Sequence, residues 1–176
     1  TDDPVHGNQV GRFYHGYYKE YCFLPLYVFC GKHLLAGYLK PSSIDAAHGA
    51  WSILKLLKTR IREVWPDVKI IFRADSGFCR HLMMDWCDKN NIEYIIGIAK
   101  NSRLKSMTKH LMEKAVSQFE STGEKHYCAR GEAENRIKAQ QLDLFADRTS
   151  CTNWIPNQVR LLLSGLAYTL IEAIRR

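Results

Sequence analysis

The chain has 176 residues, a formal net charge of +7 and a hydrophobic share of 46%, enough for one ordinary globular core. The basic balance favours a polyanionic partner, although many proteins are equally basic without touching DNA. No apolar run of membrane-spanning length and no secretory leader is visible, and none of the six cysteines forms a Cys-x-x-Cys pair, so a cytoplasmic protein with reduced core thiols is the expectation.

In chain order, Tyr21 to Cys30 and His33 to Lys40 are strand-like runs around a Gly31-Lys32 turn, which predicts a hairpin. Pro41-Ser42-Ser43 breaks the pattern. Ala46 to Trp65 then carries Trp51, Leu54, Leu57, Ile61 and Val64 at helical spacing and stops before Pro66. Val68 to Ala74 reads as a strand, Arg80 to Asn90 as a helix, Glu93 to Ala99 as a strand and Ser102 to Glu120 as a helix. This alternation predicts an α/β layer with buried, parallel strands. From Tyr127 the pattern is helical again, Asp147 to Pro156 reads as a loop, and Asn157 to Arg176 as a long apolar helix. No internal repeat or linker interrupts this single domain.

Two acidic elements carry the chemistry. Asp75 ends the apolar run Val68 to Ala74 and precedes Ser76-Gly77 and a helix. Such an aspartate is commonly a turn or helix cap; it is also what a metal-bearing strand end needs, because the strand fixes the carboxylate at a sheet edge. Glu134 shares a helical face with Tyr127, Arg130, Lys138 and Gln141. An ordinary solvated face with i,i+4 ion pairs would look the same except for the tyrosine. A functional face would place the glutamate on a divalent ion and the Arg, Lys and Tyr on phosphate oxygens.

The blocks His15 to Gly31, RADSGF (Arg73 to Phe78), YCARGEAENRIK (Tyr127 to Lys138) and QLDLFADRTS (Gln141 to Ser150) resemble bacterial insertion-sequence transposases of the DDE class. Within that class the group named after insertion sequence 1380 is indicated, and the similarity runs along nearly the whole chain. The resemblance implies a ribonuclease-H-like (retroviral-integrase-like) mixed sheet flanked by helices. In such a fold Asp, Asp and Glu hold two divalent ions, normally Mg²⁺ with Mn²⁺ as a substitute, about 3.5–4 Å apart. One ion activates the attacking oxygen and the other stabilises the leaving oxygen. Carried over to this sequence, Asp75 is the second acid and Glu134 the third, both catalytic and metal-ligating. Tyr127 and Arg130 match the Tyr-x-x-Arg-x-x-x-Glu signature, and Lys138 substitutes for a cation expected where Gln141 stands.

The resemblance also implies double-stranded DNA, as transposon ends and target, for the partner. It allows a homodimer on that DNA and a bacterial, nucleoid-associated location. Two departures qualify the expectation. The family's Asp-x-Thr element has its threonine at Thr1, which puts the first Asp ahead of the chain, and neither Asp2 nor Asp3 is assigned its role. A long, largely β-rich insertion that the group carries between Gly123 and Tyr127 is missing here. The sequence therefore leaves two readings open: a metal-dependent DNA-cleaving and joining domain, or an inactive remnant that only binds nucleic acid. A phosphate-binding α/β module is disfavoured, since neither a GxGxxG nor a P-loop is present. Arg73, Lys100, Arg103, Lys105 and Arg136 join Arg130 and Lys138 as candidate DNA contacts. Tyr14, Tyr17 and Tyr18, at strand-like spacing, read as core or sheet packing ahead of base stacking.

Overall fold

The computed structural model describes residues 2–5, 7–123 and 130–175, and for 130–133 the backbone only. The described chain forms two compact units, residues 1–68 with 131–176 and residues 69–130.

In the first unit, β1 (Asp3–Pro4), β2 (Phe13–His15) and β3 (Glu20–Phe23) form an antiparallel sheet in the order β1-β3-β2. The run expected as one strand from Tyr21 to Cys30 is broken at Leu24-Pro25, and β4 (Leu26–Cys30) pairs instead with β5 (His33–Tyr38). Pro25 explains the break: it has no N–H for a ladder and its φ is fixed. The expected hairpin is present between β4 and β5, with Cys30 opposite His33 and Gly31 at φ 53, a first turn position that two-residue hairpins reserve for glycine.

Helix α1 spans Ala50–Val64 and is later to start than its apolar spacing suggests. The residues before it form a turn in which the Ala47 N–H donates to Asp45 Oδ1 (2.8 Å). Helix α4 (Arg130–Lys138) runs into a π turn at Ala139–Asp143, and α5 covers Trp154–Ile174. Pro156 lies in the first turn of α5, where a missing N–H costs nothing, so this helix begins three residues before the expected start.

The core of this unit is Phe23, Leu39, Ala146 and Leu161, with Val5, Tyr27 and Trp154 packed against it. Burying side chains the size of Phe23, Leu39 and Leu161 is worth about 1.5–3 kcal/mol each. Polar groups fix α5 to its surroundings. Gln158 Oε1 accepts from Leu39 N (2.7 Å) while its Nε2 donates to the Gly37 carbonyl (3.1 Å), and Asn157 closes a pair of bonds with the backbone of Cys151 (2.9 and 2.8 Å).

The second unit is a β-α-β arrangement. β6 (Ile70–Ala74) and β7 (Ile92–Ile96) pair in parallel, Ile70 opposite Ile92 through Ala74 opposite Ile96. Parallel strands need a crossover, and α2 (His81–Lys89) supplies it, burying Met83 and Cys87. Asn91 takes φ 52 to turn the chain from α2 into β7, a conformation asparagine tolerates. The expectation of parallel strands holds; that of burial does not. Ile71 is exposed and most of both strands is only half-buried, because this sheet has two strands rather than a fully covered interior. Helix α3 (Ser102–Thr122) follows, capped by Asn101 and ended by Gly123 in the left-handed region at φ 68.

Of the cysteines, Cys22 and Cys87 are buried as expected, whereas Cys30 is exposed at the end of β4. Among the described residues no helix is long and apolar enough to cross a membrane.

Candidate functional site

The carboxyl ends of β6 and β7 form the candidate site of the second unit. β6 ends at Ala74, so Asp75 is the first residue beyond a rigid strand. Its Oδ1 accepts from Gly77 N (2.8 Å) and caps a short 3₁₀ turn, Ser76–Phe78. The capping role and the ligand role are thus compatible: one oxygen orients the carboxylate and Oδ2 is the oxygen available to an ion. Asp75 is exposed, as an ion reached from solvent requires.

Beside it, Gly97 N donates to the Ala74 carbonyl (3.0 Å), which ties the end of β7 to the end of β6. The chain then passes through Lys100 to Asn101, whose side chain accepts from Leu104 N (2.8 Å) and sets the start of α3. That cap was missed in the sequence, although Asn before Ser and a helical run is its usual signal. Arg103 and Lys105 follow in the first turns, and the first turn holds no acidic residue. Arg73, Lys100, Arg103 and Lys105 are all exposed. Ligands of open α/β sheets bind at the carboxyl ends of strands, and Asp75 is a fixed carboxylate at such an end.

Glu134 belongs to the first unit. It is exposed on α4, as is Lys138 at the end of that helix. Tyr127 lies outside the described residues, and Arg130 is described only as the first residue of α4. Gln141 departs from the expected common face. The π turn breaks the helical register after Lys138, and Gln141 is buried with its Nε2 donating to the Asp2 carbonyl (2.9 Å). Arg136 donates to the Gly31 carbonyl, so its guanidinium is engaged inside its own unit.

Asp3 is the other carboxylate of note. It is fully buried on β1 and accepts from the Thr149 hydroxyl (2.8 Å). Burial pushes its carboxyl up to about 7; the Thr149 bond opposes that, and the charges of Asp147 and Asp2 add to it.

Compared with known families, residues 1–126 and 120–176 match the family described as transposase DDE domain group 1. The chain belongs to that DDE transposase family. No curated protein and no solved structure matches it. The family generally uses divalent metals, and oxygen donors such as Asp75 and Glu134 are the right chemistry for a hard cation. Among the described residues, however, no three His, Cys, Asp or Glu side chains stand together to hold an ion. The donor types of this DDE domain fit a divalent metal.

Proposed function

We propose that this DDE domain cleaves and rejoins DNA strands at insertion-sequence ends in a divalent-metal-dependent reaction, with Asp75 and Glu134 as its acids. The single observation that carries this reading is the position of Asp75: a family member's expected acid occupies the first residue past a parallel strand, exposed and oriented by Gly77 N (2.8 Å). The cofactor is Mg²⁺, replaceable by Mn²⁺, and the substrate is double-stranded DNA. Tyr127, Arg130 and Lys138 serve as phosphate contacts beside Glu134. The β-α-β unit and the antiparallel strands support a ribonuclease-H-like fold. The blocks quoted above support the group of insertion sequence 1380. The family match falls in two stretches overlapping at residues 120–126, which supports a missing insertion there.

A second reading has its own support. A chain that binds DNA without cutting it needs only cations such as Arg73, Lys100, Arg103 and Lys105, which are all exposed. Incubating the protein with Mn²⁺ and a labelled duplex carrying element ends separates the two. The first reading expects nicked or joined product that disappears in Asp75→Asn and Glu134→Gln. Duplex binding without product in the unaltered chain, equal in all three proteins, establishes the second and rejects the first.

A further inference from the structure

The sheet of the first unit exposes aromatic rings where strand spacing suggested packing. β2 and β3 pair with Tyr14 opposite Tyr21, and their rings meet edge to face at 5.6 Å between centroids. On β3 Tyr21 is exposed while Cys22 and Phe23 after it are fully buried. Tyr14 is 58%, Tyr17 84% and Tyr21 51% exposed, so at least half of each residue faces solvent.

The hairpin tip extends the same surface. Lys19 N donates to the His15 carbonyl (2.8 Å), closing a four-residue turn over Gly16 to Lys19. Lys19 sits at φ 58, an uncommon conformation for a side chain with a Cβ. The turn holds Tyr17 against Tyr18 at 5.1 Å, edge to face.

Cations frame the rings. The Arg12 guanidinium lies 5.2 Å from the Tyr21 ring centre and is held there by a bond to the Gly7 carbonyl (2.6 Å). Lys19 is exposed at the tip. Glu20 is the nearest acid on β3, and alternation puts it on the face opposite Tyr21, where its carboxyl is raised by a hydrogen bond with Asp2. Tyrosine and arginine also serve protein interfaces; the chain's net charge of +7 and its membership of a DNA transposase family favour a nucleic acid here. Flat rings between an arginine and a lysine match bases joined by phosphates.

We infer that the β2–β3 hairpin, through Tyr14, Tyr17 and Tyr21 flanked by Arg12 and Lys19, is a stacking platform for unpaired DNA bases. Paired bases hide their faces inside the duplex, so the ligand is single-stranded DNA. This inference rests on the reading that DNA is the substrate, and it adds a place where strands opened at an element end are held.

The test is fluorescence anisotropy of a labelled oligothymidine, and of a duplex of equal length, with the full chain. Tyr14→Ala and Tyr17→Ala should each weaken single-strand affinity about tenfold while leaving duplex affinity unchanged, since stacking is lost and phosphate contact is not. Tyr17→Phe keeps a ring and should bind as the unaltered chain does. Circular dichroism checks that each variant is folded. Alanine variants that bind single strands as tightly as the unaltered chain, or lose duplex and single-strand binding alike, overturn the platform. A protein that cleaves duplex with Mn²⁺ yet ignores these tyrosines refutes the platform and keeps the chemistry. Tyrosine-dependent binding without cleavage keeps the platform and refutes the chemistry.

Discussion

The buried carboxyl of Asp3 makes stability depend on pH in the direction opposite to most acids. In the unfolded chain an aspartate gives up its proton near 3.8, while in the folded chain burial holds Asp3 to about 7. Between those values the folded state binds more protons than the unfolded one, so its stability falls as pH rises; below 3.8 both forms are neutral and the penalty vanishes. The interval from 3.8 to about 7 corresponds to about 4 kcal/mol, fully expressed above pH 7. Asp3→Asn removes the charge and retains an oxygen for the Thr149 hydroxyl, which now donates to Asp3 Oδ2 (2.8 Å). Urea denaturation of both chains from pH 4.5 to 8.5, followed by tryptophan fluorescence, gives the difference directly, because every other acid titrates in both proteins. The variant should exceed the unaltered chain by about 1 kcal/mol at pH 4.5 and by increasingly more towards alkaline pH, up to about 4 kcal/mol. A difference that stays constant with pH, or shrinks as pH rises, refutes a neutral buried Asp3.

Asp75→Asn keeps an acceptor for Gly77 N, so its urea midpoint should stay close to that of the unaltered chain while cleavage is lost; a large drop in stability would make Asp75 a structural cap alone. Gly11 takes φ +83, and a Cβ there would lie 3.0 Å from the Trp154 ring. Thermal melts of Gly11→Ala should show a loss of about 1–3 kcal/mol, and an unchanged melt would contradict both the strain and the contact. Leu161→Ala opens a hole in the core beside Phe23 and Leu39 and should cost about 2–5 kcal/mol in urea; a cost below about 1 kcal/mol would place Leu161 outside the core.

Local order was readable where one pattern acted alone. The apolar spacing from Trp51 to Val64 gave a helix, Gly31 gave the hairpin turn, and the runs around Ile70 and Ile95 gave two strands whose parallel pairing followed from the helix between them. Asp75 was legible as a strand end because Ser-Gly follows it directly. The failures came where tertiary pairing decided. β1 has two residues, too few for any periodicity, and exists because Asp3 and Pro4 lie opposite Phe23 and Cys22. Tyr14, Tyr17 and Tyr18 have the spacing of a strand, yet Tyr17 and Tyr18 fall in the turn between β2 and β3, and which face of the pair meets the core is set by partners elsewhere in the chain. The π turn at Ala139–Asp143 left no mark in composition, and it is what withdraws Gln141 from the face of Glu134.

Gln158 has one more effect. Its amide gives to Gly37 and Leu39 the two bonds that a neighbouring strand's peptide group would otherwise supply. A helix side chain thus impersonates a strand at that rim of the β4–β5 pair. A lone two-stranded ribbon with an unguarded margin invites foreign chains to zip on, and here the acceptor and donor they would seek are already taken.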